Sequence, residues 1–421
     1  MANSVQPVRG TRDYLPHEVK VRDAIKSIIL RSYENNGFSK IQTPILEDID
    51  RLDKSEGGEN LNMVFRILKR GQKLDLDKEG LTEKDLADLG LRFDLTLPLC
   101  RYFANNRASL RVPFKVIQIG QVFRAERPQK GRLRQFYQCD IDIIGDPSPE
   151  AEIELIHTTA KTLMELGFDD FTVRINDRRI LFDMIAFIGF PSEDVLSVCI
   201  SFDKLDKVGI EGVKEELIEK GFALAAIDRF IEAIETSNSR GVSAMADYCT
   251  DQGVVEQLEY IIDSVRELGQ DKYKIEYDKS LVRGMGYYTG TIFEIVSPRF
   301  NSSIAGGGRY DKMIGKMIGE DYPAVGFSIG FERIAEILLN SEDMKFIFDE
   351  KRLALLYEKE DSFVRVVQKA DELREKGYDV CTMVKAKKLG KQFASLEAEG
   401  YGYALIFGQD EIKTLSAHKE E

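Results

Sequence analysis

The chain has 421 residues, 43% hydrophobic and 31% charged, with a formal net charge of −13, which allows two or three domains, each with its own core. That charge argues against a protein that coats nucleic acid through phosphate neutralisation, while leaving room for a local basic site. Three scattered histidines (His17, His157, His418) and five dispersed cysteines argue against a Ser-His-Asp centre, a histidine-ligated metal, a zinc cluster or a disulfide framework.

The N-terminus lacks a signal-peptide core and no apolar run reaches membrane-spanning length, so a cytoplasmic protein with no membrane contact is expected. Residues 17–34 carry Val19, Val21, Ile25, Ile28, Ile29 and Tyr33 at helical spacing, and Asn35-Asn36-Gly37 offers the left-handed stop. "FSKIQTPILE" reads as a strand whose Pro44 places it at an edge or a bulge. "KVIQIGQVFR" and "QFYQCDIDIIG" read as two strands of a long hairpin around a polar loop. A helix over 150–166 is stopped by Gly167. From about 173 to 275 the sequence becomes helical and charged, as an inserted domain would, before strand-like sequence resumes at "YKIEYDKSLVRG". After a polar linker at Asn340-Ser341-Glu342-Asp343, "LALLYE", "YDVCTMV" and "YALIFG" alternate with helical segments at 361–375 and 388–399. That rhythm predicts a small parallel α/β domain.

Two stretches carry chemistry. In "SLVRGMGYYTGTIFE" (280–294), Gly284 and Gly286 begin a dinucleotide fingerprint, but Thr289 stands at its third position. "TIFEIV" then favours a strand, so no helix N-terminus is available for a pyrophosphate. A hairpin turn with packed tyrosines remains, as does a pocket wall on which Arg283 supplies a permanent charge beside closely approachable backbone. In "QIGQVFRAERPQKGRLRQFYQCDIDIIG", Arg124, Arg127, Lys130, Arg132 and Arg134 surround one acid, Glu126. This is either a solvated basic loop or a site for polyphosphate or an RNA end. Strand alternation places Phe136, Gln138, Asp140 and Asp142 on one face, and Tyr137, Cys139, Ile141 and Ile143 on the other. The first face is an aromatic plate, an amide and two carboxylates spread over roughly 20 Å, which suits a nucleotide joined to a small amino acid.

Taken in order, "VRGTRDYLP", "LRFDLTLPLCRYFA", "FRAERPQKGRLRQF", "INDRRIL", "LVRGMGYYTGTIFE", "SIAGGGRYD" and "AVGFSIGFERI" resemble the motifs of the histidyl-tRNA synthetase family of class II aminoacyl-tRNA synthetases. The likeness runs from the N-terminus to about residue 335 and, more weakly, to about 408. It implies an α+β fold, with a class II antiparallel sheet flanked by helices, a helical insertion and a small C-terminal α/β domain. The implied boundaries are 1–172 and 276–340 for the two parts of the catalytic domain, 173–275 for the insertion, and 345–421 for a shortened anticodon-binding-like domain. "FSKIQTPILE" is similar to the first class II motif, which lies at the interface of a homodimer.

The resemblance further implies ATP-dependent ligation of L-histidine to tRNA(His) through a histidyl-adenylate, with Mg²⁺ accompanying ATP. Arg124 and Arg283 would be catalytic at the α-phosphate. Arg124, Glu126, Arg132, Phe136 and Arg333 would bind ATP. Asp94, Thr96, Gln138, Asp142, Arg283, Tyr287, Tyr288 and Tyr310 would bind histidine, the amino group falling to Asp94, Thr96 and Gln138 and the imidazole to Asp142 and Tyr288. Arg127 and Gln129 would meet the tRNA acceptor end. No metal-ligating side chain is assigned. Gly286 replaces the family's usual Asp, and the C-terminal domain stops early. The alternative implied reading is a non-catalytic paralogue that senses histidine, like the regulatory subunit of ATP phosphoribosyltransferase. Retention of Arg124, Arg283 and Arg333 favours the enzyme over this sensor.

Overall fold

The computed structural model describes residues 5–54, 63–128, 131–202, 204–282, 286–340 and 351–415, with backbone alone at 54, 196, 206, 207 and 237–240. Helix α1 (Pro16–Asn35) begins on a proline, whose missing N–H is harmless in a first turn. It buries Val21, Ile25, Ile29 and Tyr33, spaced by about one turn, and the chain reverses at Gly37 with φ +85°. The expected "FSKIQTPILE" strand divides in two. Strand β1 (Ser39–Lys40) pairs parallel with β5 (Phe114–Phe123), and β2 (Leu46–Asp48) pairs antiparallel with β4 (Ala87–Leu91) in a different sheet. Pro44 lies between them. It cannot donate to a ladder, and its carbonyl and that of Thr43 instead accept from Arg92 Nη1 at 3.3 and 2.9 Å.

Between β2 and β4 come α2 (Ile49–Lys54), β3 (Arg66–Leu68) and α3 (Glu83–Leu86), and β2-β4-β3 form a small antiparallel sheet. Helix α4 (Thr96–Asn106) leads to β5, which the hairpin joins to β6 (Gln135–Ile144); α5 (Glu150–Glu165) and β7 (Thr172–Asp177) follow. Five helices then intervene: α6 (Arg178–Ile188), α7 (Val195–Phe202), α8 (Leu205–Glu219), α9 (Leu224–Arg240) and α10 (Gln252–Gly269). Asp177 caps α6 by accepting from Arg179 N at 2.8 Å. Phe230 packs edge-on against Phe202 and Phe190, with ring centroids 5.3 and 5.9 Å away. The chain returns through β8 (Lys274–Tyr277), β9 (Thr291–Val296), β10 (Ala305–Arg309), α11 (Gly315–Ile318), β11 (Ala324–Ile329) and α12 (Phe331–Leu339).

The main sheet has the order β1-β5-β6-β11-β10-β9-β7-β8. Its central strands, β5 through β7, are antiparallel, with a parallel pair at each edge, β1 with β5 and β7 with β8. Residues directly opposite in a ladder share a face. The register therefore lines up Gln118, Asp140, Ser328 and Gly306 in one row, and Val116, Asp142, Gly326 and Gly308 in the next. Behind this face Cys139, Ile141 and Ile143 are fully covered. At the far end of β10, Arg309 grips Glu152 of α5, Nε donating to Oε1 at 2.7 Å and Nη2 to Oε2 at 2.5 Å. Both groups are buried, so removing either would strand a charge, at a cost of about 3–5 kcal/mol.

By their internal contacts the residues fall into two units, 1–12 with 25–337, and 13–24 with 338–421. In the second, β12 (Arg352–Tyr357), α13 (Phe363–Glu375), β13 (Asp379–Val384), α14 (Leu389–Ala398) and β14 (Tyr403–Ile406) alternate as expected, and a short β15 (Lys413–Thr414) adds an antiparallel edge. The order is β13-β12-β14-β15. Leu353 and Leu355 pack with Val366, Ala370 and Leu373 on one side of β12, and Ala354 and Leu356 with Leu396 and Tyr401 on the other. A strand covered on both faces reads as an unbroken apolar run, which is why "LALLY" shows no alternation.

Candidate active site

Two cavities open over the polar face of β6. The outer one, about 230 Å³, is lined by Arg124, Glu126, Arg132, Phe136 and Arg333, with Ser303 to Gly306 of the β10 approach beneath. Arg124 follows the last residue of β5. Its backbone N–H donates to Arg134 O at 2.8 Å, closing the hairpin neck. Its Nε donates to Phe93 O at 3.0 Å, and the guanidinium lies 5.1 Å from the centre of the Phe136 ring. Arg132 Nη1 sits 3.7 Å from Glu126 Oε2. Arg333, in the first turn of α12, donates to Ser303 O and lies 5.9 Å from the centre of the Phe300 ring. Burial, then the neighbouring Arg132, pull the pKa of Arg333 down. The loop passes this ring through Gly131, at φ +70°, where a Cβ would come within 2.8 Å of Phe300 Cζ.

The inner cavity, about 170 Å³, is lined by Asp94, Thr96, Asp140, Asp142, Tyr287, Tyr288 and Tyr310, among others. Tyr310 donates its hydroxyl to Asp142 Oδ1 at 2.7 Å. Tyr287 donates to Asp94 Oδ2 at 3.4 Å and to Thr96 Oγ1 at 3.3 Å. The Tyr287 ring meets Tyr288 and Tyr310 edge-on at 5.0 and 6.0 Å, so the tyrosines form a continuous wall. The floor is glycine by necessity, because a Cβ at Gly326 would lie 2.0 Å from Asp142 Oδ1. Asp94, Asp140 and Asp142 are 2%, 4% and 3% exposed. Burial raises the pKa of all three, and that of Asp142 reaches about 7 even with the Tyr310 hydrogen bond pulling it down. Buried acids of this kind are relieved by incoming donors and positive charge.

Arg124, Gln138, Gly306 and Ser328 line both cavities. One guanidinium therefore stands at the junction of a cationic and an anionic compartment. A molecule reaching across would have its anionic portion over Arg124, an aromatic ring over Phe136, and donors toward the aspartates.

The structure thus brings Arg124, Glu126, Arg132, Phe136 and Arg333 together in one cavity, and Asp94, Thr96, Gln138, Asp142, Tyr287, Tyr288 and Tyr310 in the adjoining one. Arg127 is exposed on the hairpin loop and lines neither. Arg283 and Gln129 lie outside the described residues. The "TIFEIV" segment is strand β9, as expected. Sequence reasoning counted Asp140 among the carboxylates of this face but did not name it among the histidine-binding residues. It also passed over Ser328 and the space-making Gly326, whose positions depend on β11 pairing with β6 far away along the chain, Ser328 opposite Asp140 and Gly326 opposite Asp142, and carry no local signal.

The family model for histidyl-tRNA synthetase matches residues 10–334. The histidine–tRNA ligase of Leifsonia xyli subsp. xyli is 45% identical over 350 residues, covering 80% of this chain and 81% of that protein. The probable histidine–tRNA ligase of Tropheryma whipplei is 41% identical over 416 residues, 94% of each chain. Among solved structures, histidyl-tRNA synthetase from Nostoc sp. PCC 7120 superposes with a TM-score of 0.78 at 27% identity, covering 98% of this chain and 95% of that one. An ATP phosphoribosyltransferase regulatory subunit/histidyl-tRNA synthetase from Bacillus halodurans C shares the fold, with a TM-score of 0.77 at 19% identity over 96% of this chain and 98% of that one.

Proposed function

The chain belongs to the histidyl-tRNA synthetase family, and we propose that it joins L-histidine to tRNA(His) in two steps at the paired cavities, consuming ATP. The observation that carries this reading is the shared wall, with Arg124 positioned to face both a ring-and-guanidinium cavity and a cavity of buried acids and tyrosines. ATP takes the outer cavity, its adenine stacked on Phe136 with an edge toward Glu126. Arg132 and Arg333 hold the outer phosphates. Histidine takes the inner cavity, its amino group toward Asp94, Thr96 and Gln138 and its imidazole between Asp142 and Tyr288, with Tyr287 and Tyr310 enclosing it. A neutral imidazole has one donor and one acceptor nitrogen, and a carboxylate with a phenol supplies a partner for each.

In the first step the histidine carboxylate attacks the α-phosphorus, displacing pyrophosphate and leaving histidyl-adenylate. Charge builds on the α-phosphate oxygens, and fixed guanidiniums need no reorganisation to meet it. Arg124, joined by Arg283, fills this role. In the second step the terminal ribose hydroxyl of tRNA attacks the acyl carbonyl and AMP leaves. Positioning carries much of that barrier, with Arg127 and Gln129 at the acceptor end.

Among the described residues no group of three or more His, Cys, Asp or Glu side chains could hold a metal ion. The described donor set offers no resident metal site; Mg²⁺ is assigned to the phosphates of ATP, and no step is routed through it. No helix of the described residues is long and apolar enough to cross a membrane. A homodimer in the cytoplasm, built around the "FSKIQTPILE" segment, completes the proposal. Residues 1–172 and 276–340 form the catalytic domain in it, 173–275 the insertion, and 345–421 an anticodon-binding-like domain.

The test is histidine-dependent exchange of labelled pyrophosphate into ATP with purified protein and Mg²⁺, followed by charging of a tRNA(His) transcript. Exchange and charging are expected. Histidine binding without exchange would support the sensor instead.

A further inference from the structure

The acids of the inner cavity are not equivalent. Asp94 has an internal donor on each oxygen, Leu97 N to Oδ1 at 3.2 Å and the Tyr287 hydroxyl to Oδ2 at 3.4 Å. Asp142 takes the Tyr310 hydroxyl at 2.7 Å. Two buried acceptor oxygens lining the cavity have no donor, Asp140 Oδ1 and Gln138 Oε1. They belong to residues two apart on β6, hence on the same face. The Gln138 amide nitrogen is committed to Ser328 Oγ at 3.2 Å, which turns its oxygen away from that partner. Arg92 and Arg124 act on Asp140 through their charge, while their hydrogen bonds run to backbone carbonyls: Arg92 Nε donates to Gln121 O at 2.8 Å and its Nη1 to Thr43 O, and Arg124 Nε donates to Phe93 O. The Asp140 carboxyl interacts with Ser328, yet its buried Oδ1 has no donor, which is costly to keep and is relieved by a cation that enters the cavity.

We propose that Asp140 is a further histidine-binding residue, its Oδ1 accepting from the α-ammonium of the substrate beside Oε1 of Gln138. The proposal rests on the assignment of the inner cavity to histidine. It divides the substrate's recognition between two neighbouring carboxylates of one strand, with Asp142 reading the ring and Asp140 the ammonium. An ammonium between a full carboxylate and an amide oxygen finds two charge-assisted acceptors without displacing any hydrogen bond of the protein.

The experiment uses Asp140→Asn, which keeps the shape and removes the charge. The KM for histidine in pyrophosphate exchange is compared with the inhibition constant of 3-(imidazol-4-yl)propionate, which lacks the amino group. A rise of about 10- to 100-fold in the histidine KM is expected, with the inhibition constant and the ATP KM unchanged. Equal weakening of histidine and the des-amino compound would mean that Asp140 only shapes the cavity, and no change in either would mean that its oxygen meets water alone; both overturn the proposal. A wild-type protein without exchange would remove the parent reading, and this one with it. Should the Asn variant unfold, Asp140→Ser, with its side chain facing Ser328, carries the same comparison.

Discussion

The outer and inner cavities share a wall and differ in almost everything else. The outer one takes its charge from guanidiniums on a hairpin loop and the first turn of α12, all partly exposed. Those charges are permanent at any working pH. The inner one takes its character from three aspartates, each less than one-twentieth exposed, on rigid strands or beside them. Burial raises the pKa of all three, that of Asp142 to about 7. A triphosphate can be held by charges that tolerate solvent and movement. A small amino acid must be told from its neighbours by individual hydrogen bonds, and these need dry, fixed partners.

If that division is right, the variants should sort by cavity. Arg124→Ala, at the junction, should lower kcat/KM for pyrophosphate exchange about 10²- to 10³-fold, and an unaltered rate would take Arg124 out of the mechanism. Gly326→Ala drives a methyl into Asp142. It should raise the histidine KM about 10- to 100-fold through overpacking while leaving the ATP KM alone; equal effects on both substrates would dissolve the distinction. The third prediction concerns pH. In the proposed mode Asp142 accepts from the imidazole most strongly as a carboxylate, and burial pushes its pKa to about 7, so the histidine KM should rise, by up to about tenfold per unit, as pH falls below that value. The ATP KM should stay flat. Because free histidine titrates as well, the ratio of wild-type to Asp142→Asn values isolates the residue. The same raised pKa has a sign for stability. The unfolded chain ionises at lower pH, so the contribution of Asp142 to folding is present in acid and lost as pH rises through about 7. Melting curves should therefore favour Asp142→Asn over wild type at pH 8 more than at pH 5. Smallest of all, Tyr287→Phe removes two long hydrogen bonds and should raise the histidine KM about 2- to 10-fold.

Much of the site was legible because it is local. Period-two alternation in β6 put Phe136, Gln138, Asp140 and Asp142 on one side before any fold was known, and the turn residues around 124–134 announced the hairpin. The C-terminal alternation likewise gave the three parallel strands in order. What escaped was whatever depends on a distant partner. "FSKIQTPILE" is strand-like throughout, yet its two ends pair with β5 and β4 in separate sheets, and nothing within ten residues encodes that. Asp140 read as one of two carboxylates on the ligand face, with nothing to show how deeply it is buried. It is buried because β11 and the tyrosine wall come from residues 287–329, and its unmatched oxygen is visible only once they are in place. The grouping of residues 13–24 with 338–421 is of the same kind, since no periodicity in α1 marks the division.

The glycines under the inner cavity set a limit on redesign. At 306 and 326 the floor already has the smallest residue available, and at 326 even a methyl collides with Asp142. No substitution there can enlarge the chamber. Under the proposed binding mode, room for a bulkier amino acid would come from the tyrosine wall of Tyr287, Tyr288 and Tyr310, and trimming it would loosen the enclosure of the ring. Accommodating a new guest and abandoning the old one are, for this scaffold, the same mutation.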